Sequence, residues 1–151
     1  MMRYMLYESN EKMVSLEKEV NYIKNYLELE KLRQGDRFEI NFIITGEIAD
    51  QKIAPLVFIP FLENSFKHGL DNQIKSGFVN IDLKLLEDSI ELIIENSNPT
   101  KVQLKKKMKK SGGIGLENVK RRLKLIYPNK HKLEIVEKPH AFRVFLYIKL
   151  K

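Results

Sequence analysis

Twice in this chain, two runs of alternating apolar residues follow one another across a short polar turn. Val79, Ile81, Leu83 and Leu85 are followed by Glu87-Asp88-Ser89 and then by Ile90, Leu92 and Ile94. Leu133 and Ile135, with Glu137 at the next alternate position, are followed by Pro139-His140 and then by Phe142, Val144, Leu146, Ile148 and Leu150. A period of two places every other side chain on one face, so each pair reads as an antiparallel hairpin with one buried face. Phe38, Ile40, Phe42 and Ile44 make a fifth alternating run, ended by the turn Thr45-Gly46-Glu47. Five half-buried strands need an apolar cover, which helices must supply.

Three stretches have helical spacing. From about Ser9 to Arg33, the apolar positions Met13, Leu16, Val20, Ile23 and Leu27 mark a long amphipathic helix, broken by Gly35 and Asp36. Its stripe suits packing on the domain's own sheet, and a seam against a partner helix is the other reading. Residues 55–69 form a second helical run, with Pro55 suited to a first turn and Pro60 either starting a new segment or kinking the first. Leu116, Val119, Leu123 and Ile126 form the third, stopped by Pro128. Residues 70–77 and 100–111 read as loops, the second long and mobile. The order helix, strand, helix, hairpin, loop, helix, hairpin predicts an α+β fold. Its economical form is a two-layer sandwich: one mixed five-stranded sheet with three helices on a single face.

Composition narrows the chemistry. With 151 residues the chain suits one domain, and with no cysteine it has no disulfide, thiolate metal site or cysteine nucleophile. The three histidines are too scattered for a histidine metal centre, and His131 and His140 read as turn residues. No apolar run approaches the roughly 20 residues that span a bilayer, and the N-terminus lacks a signal-peptide layout, so a cytoplasmic domain is expected. Six lysines between residues 101 and 110 account for most of the net charge of +7. Such a run is ordinarily solvated. One lysine-rich loop is a weak nucleic-acid signal, and no nucleic-acid partner is expected.

The end of the second helical run carries the polar chemistry. Asn64, Lys67 and His68 fall at i, i+3 and i+4, with Glu63 on the flank and the apolar pair Leu62 and Phe66 on another face. Gly69 is placed to cap the helix end. Asparagine offers an oxygen to a hard cation, lysine and histidine donate to phosphate oxygens, and glutamate can orient or activate water. The set reads as a magnesium-phosphate site, or equally as a helix end whose polar residues face water. Gly112-Gly113-Ile114-Gly115, directly before the third helix, would let backbone N–H groups approach an anion. Glycines there are also ordinary loop punctuation.

Three stretches resemble the boxes of the Bergerat-fold ATP-binding domain shared by sensor histidine kinases, Hsp90, gyrase B and MutL. Leu62-Glu63-Asn64-Ser65-Phe66-Lys67-His68-Gly69 is similar to the N box, Ile94-Glu95-Asn96-Ser97-Asn98 sits where the G1 box belongs, and Gly113-Ile114-Gly115-Leu116 resembles the G2 box. Ile53 through Gly69 and Gly113 through Leu123 most resemble LytS-type sensor histidine kinases. Arg3 through Tyr7 and Val14 through Arg37 resemble the region after the phosphoacceptor helix of that group.

The resemblance implies that residues 1–33 continue from an upstream dimerisation and phosphoacceptor segment, and that residues 34–151 are the ATP-binding domain, with a lid at about 97–112. It implies Mg2+ on Asn64, phosphate contacts from Lys67 and His68, and a nucleophile-positioning Glu63. Gly113, Ile114, Gly115 and Leu116 would close on the triphosphate. At the G1 box the family's adenine-binding carboxylate is replaced by Asn96, which keeps one acceptor oxygen. Its NH2 needs an acceptor of its own, and Asn96→Asp is expected to tighten adenine nucleotides. The family's acceptor histidine motif is absent, so phosphoryl transfer would go to a histidine outside this chain. The implied partners are ATP, the upstream helix within a homodimer, and a response regulator. The whole protein would be an inner-membrane sensor. A nucleotide-degenerate interaction module of the same fold is the alternative.

Overall fold

Ser15 starts the first long helix by capping it, its hydroxyl accepting the Lys18 N–H at 3.3 Å, and Glu17 and Glu19 lie in the positively polarised first turn. The computed structural model describes residues 12–69, 76–97 and 113–150, and among these the side chains of all but residues 68, 69 and 113–115. In chain order the elements are β1 (Val14–Ser15), α1 (Leu16–Gln34), β2 (Phe38–Thr45), β3 (Lys52–Ile53), α2 (Ile59–Gly69), β4 (Gly77–Leu85), β5 (Ser89–Ser97), α3 (Gly113–Ile126), β6 (His131–Glu137) and β7 (Ala141–Lys149).

The expected α+β architecture is present: one mixed sheet in the order β2-β4-β5-β7-β6, with α1, α2 and α3 supplying its cover. Among the described residues only β2 and β4 are parallel, and the crossover a parallel pair requires contains α2. The other three pairings are antiparallel. Hairpins β4–β5 and β6–β7 close through Leu86 N–H to Ser89 O at 2.9 Å and Lys138 N–H to Ala141 O at 2.7 Å.

Alternation decides the faces. Val79, Ile81, Leu83, Ile90, Leu92, Ile94, Phe142, Val144, Leu146 and Ile148 are buried under the helices, together with Leu16, Val20, Ile23 and Leu27 of α1. The opposite face carries exposed or half-exposed polar residues, including Asn41 and Asn80, whose side chains bond at 2.9 Å.

Several boundaries differ from the sequence reading. Among the described residues α1 begins at Leu16, because Val14 pairs with Ile53 in a two-residue antiparallel ladder with β3 and Ser15 caps the helix. That ladder ties the start of α1 to the segment before α2, and a two-residue strand has no periodicity to read. α2 begins at Ile59, with Pro60 in its first turn and Pro55 in the preceding turn. Gly77 opens β4 instead of ending a loop. A Cβ there would lie 2.7 Å from the Phe38 ring and 2.5 Å from Ser97 Oγ, so only glycine lets β4 pass between them. His131 likewise begins β6, its Nδ1 2.8 Å from Tyr127 O. The expected lid and the lysine run lie outside the described residues.

Candidate functional site

Asn64 and Asn96 are polar side chains placed where the fold buries apolar ones. On β5, Ile90, Leu92 and Ile94 face the helices, and Asn96 continues that row with no exposed surface. It stands opposite Val79 on β4 and Phe142 on β7, both buried. Its Nδ2 donates to Ser97 O at 3.0 Å, while its Oδ1 is buried with no hydrogen-bond partner among the described residues. The amide thus has its own acceptor and keeps its oxygen for a donor from elsewhere. An aspartate here would set a carboxylate oxygen against the Ser97 carbonyl, so Asn96→Asp would carry a cost in the free chain.

On α2, Phe61, Leu62 and Phe66 anchor the helix, and Asn64 is only 7% exposed. Asn64 Nδ2 and the adjacent Ser65 Oγ are buried without partners among the described residues. Native interiors contain few such atoms, and they call for a ligand, water or ion. Three of them fall on α2 and the end of β5, two elements in packing contact.

Glu63 and Lys67, one turn apart, are exposed and line a cleft of about 440 Å³. Its opposite wall is the C-terminal half of α1, with Tyr26, Glu30, Arg33 and Gln34. Phe66 forms part of the wall and meets the Tyr26 ring edge-on, centroids 5.8 Å apart at 73°. Glu30 is buried and organises that side: it accepts from Arg33 Nη1 at 3.2 Å and Gln34 Nε2 at 3.3 Å, and it bonds the Tyr26 hydroxyl.

Burial, then the carboxylates of Glu30 and Glu63, hold the Tyr26 hydroxyl well above the ordinary tyrosine value of 10.0. A folded-state value above the unfolded one means the contribution is fully present below pH 10.0 and lost as pH rises toward the folded value. Tyr26→Phe, which cannot ionise, is therefore expected to retain more of its neutral-pH stability at about pH 11 than the unmodified chain. Denaturant midpoints at the two pH values check this, and an equal alkaline loss in both proteins would contradict it.

The structure thus brings Glu63, Asn64 and Lys67 onto one helix, with Glu63 and Lys67 facing the cleft and Asn64 turned inward beside Ser65. His68 lies on the same helix and Gly113, Ile114 and Gly115 in the first turn of α3, their side-chain surroundings being outside the described set. Leu116 is buried. The sequence reading missed Ser65 and the α1 wall of the cleft. Tyr26, Glu30 and Arg33 recur at i, i+4 and i+7, a helical stripe that would have been legible had it been apolar.

Among the described residues no group of three or more His, Cys, Asp or Glu could hold a metal. A magnesium ion that keeps several waters and takes phosphate oxygens needs only one or two protein oxygens, so a single Asn64 oxygen is compatible with it. Among the described residues no helix is long and apolar enough to cross a membrane.

A histidine kinase family model matches residues 1–38. Over 129 residues, 85% of this chain, the sequence is 25% identical to the sensor histidine kinase BtsS of Escherichia coli K12, 22% of which is covered. Over 84 residues, 56% of the chain, it is 29% identical to the sensor protein LytS of Staphylococcus epidermidis, 14% of which is covered. The chain therefore spans less than a quarter of these curated relatives. The solved catalytic domain of histidine kinase ThkA has the same fold, with a TM-score of 0.60 at 15% identity, covering 91% of this chain and 94% of that one. ThkA in complex with the response regulator protein TrrA gives a TM-score of 0.65 at 15% identity, covering 99% of this chain and 46% of that one.

The chain thus has the fold of histidine kinase catalytic domains, and its sequence is similar to those of sensor histidine kinases. Sensor proteins named LytS are among these similar sequences.

Proposed function

We propose that this chain is the ATP-binding catalytic domain of a two-component sensor histidine kinase, positioning Mg-ATP for phosphoryl transfer to a histidine outside it. The observation that carries this reading is the pair of buried amides on α2 and β5 whose orphaned atoms match a nucleotide: Asn96 Oδ1 as acceptor and Asn64 Nδ2 as donor. Asn96 Oδ1 accepts from the adenine exocyclic amine, while its Nδ2 already donates to Ser97 O. Asn64 would hold magnesium through its carboxamide oxygen, and its orphaned N–H would donate to a phosphate oxygen. A magnesium ion held there would supply neutralisation of phosphate charge.

Lys67 and His68 supply further donors to phosphate, and the backbone from Gly113 to Leu116, at the N-terminus of α3, adds N–H groups. Glu63 faces the cleft, where it orients the incoming imidazole and accepts its proton. Catalysis rests on positioning and charge neutralisation more than on covalent work by the protein. In the longer protein the acceptor histidine lies on an upstream helix of a homodimer, and a response regulator receives the phosphoryl group. That protein is a membrane-attached sensor with this domain in the cytoplasm.

The test is transfer of label from γ-labelled ATP, with the upstream histidine-bearing segment supplied in cis. Acid-labile, base-stable labelling that disappears when the upstream histidine is replaced is the expected result, with no labelling of the 151-residue chain alone. Labelling that survives that replacement would contradict it.

A further inference from the structure

Glu19 of α1 and Arg122 of α3 meet at one residue that belongs to neither helix. The Leu56 N–H donates to Glu19 Oε1 at 2.7 Å, and the Leu56 carbonyl accepts from Arg122 Nη1 at 3.3 Å. Leu56 has φ +57°, the left-handed region that a side chain with a Cβ disfavours. Two residues earlier the Ala54 N–H donates to the Tyr127 hydroxyl at 2.9 Å, in the interior. Glu19 is itself fully buried, a position a carboxylate occupies only when it is bonded.

The backbone leading into α2 is therefore gripped from one side by α1 and from the other by Arg122 of α3 and by Tyr127, the residue after its end. A disfavoured backbone conformation persists only where its surroundings over-determine it. Three residues after Leu56 the chain becomes α2, which carries Glu63, Asn64 and Lys67, while α3 starts at Gly113.

We propose that Glu19 and Arg122 are positioning residues, which hold Leu56 in its left-handed conformation and thereby place α2, with Asn64 and Lys67, in register with the helix that follows the glycine box. The proposal rests on the nucleotide reading above for its functional consequence. Without the clamp Leu56 relaxes toward negative φ, α2 populates displaced arrangements, and apparent nucleotide affinity falls with the fraction of chains that remain competent.

A double-mutant cycle separates this from a direct contact. Glycine adopts positive φ freely, so in the Leu56→Gly background the conformation depends much less on Arg122. Arg122→Ala is expected to weaken Mg-ATP binding by about fivefold or more on its own, and by less than about twofold in the Leu56→Gly background, with coupling of this size well resolved by calorimetry. Arg122→Lys, which keeps one donor, restores most of the affinity. Equal losses in the two backgrounds, or no loss in either, would overturn the proposal.

Hydrogen exchange of the α2 amides, measured without nucleotide on the same four chains, gives a second readout. It is expected to accelerate in Arg122→Ala and to return toward the level of its parent background in the Leu56→Gly double variant. If the unmodified chain binds no nucleotide, the reading of the site fails, and the exchange result alone decides the clamp. Unchanged exchange in Arg122→Ala would remove it.

Discussion

Replacing Asn64 by alanine is expected to abolish the magnesium-dependent part of nucleotide binding while leaving the fold intact. Asn64 is 7% exposed, and its Nδ2 has no hydrogen-bond partner among the described residues, so alanine breaks no bond of that amide group there. Alanine also suits a helix interior, so thermal stability should be unchanged or slightly raised. A residue that stabilised the fold would behave in the opposite way. With nucleotide the cost is the metal-ligating oxygen and a phosphate donor together, a loss of at least about tenfold, equal to roughly 1.4 kcal/mol. Calorimetry with and without magnesium checks it, and an unchanged magnesium response in Asn64→Ala would remove the ligand assignment.

Asn96→Leu should erase the preference for adenine over guanine and weaken ATP by a further factor of about ten. Leucine matches asparagine closely in shape and suits the row of Ile90, Leu92 and Ile94 that Asn96 continues. It gives up one hydrogen bond to Ser97 O, a loss of about 1 kcal/mol at most sites. What it cannot supply is the acceptor at Oδ1. A site built to pair a polar group discriminates by leaving that group unpaired with the wrong ligand, so losing the acceptor costs selectivity more than it costs the fold. Competition between ATP and GTP for the variant reads this directly, and retained adenine selectivity would place base recognition elsewhere. Asn96→Asp is the instructive contrast. It adds charge to the acceptor but turns an oxygen toward the Ser97 carbonyl, so any gain with ATP should come with a less stable free chain.

The sheet was legible because its strands alternate over seven to nine residues, long enough for a period of two to show, and because short polar turns separate the hairpin partners. The parallel pairing of β2 with β4 follows once α2 stands between them as the crossover. What escaped was short or through space. β1 and β3 have two residues each, and Gly77 is a strand residue only because the Phe38 ring and Ser97 Oγ occupy the place of its missing Cβ.

The site divides in the same way. Asn64 and Asn96 lie in contiguous motifs, so their types and order can be read directly. The Nδ2 to Ser97 O bond, which explains how an asparagine can stand at position 96, depends on a side-chain orientation that no spacing encodes. Glu19 and Arg122 are 103 positions apart and meet only through the backbone of Leu56. On the sequence each is one more charged residue of an amphipathic helix.

The most direct measurement is a calorimetric titration of the 151-residue chain with ATP, repeated with GTP and with magnesium removed. The account predicts saturable binding that prefers adenine and strengthens with magnesium, because the proposed reading gives Asn96 Oδ1 to the base and Asn64 to the metal. No binding by a demonstrably folded sample, or binding indifferent to both the base and the metal, would contradict it.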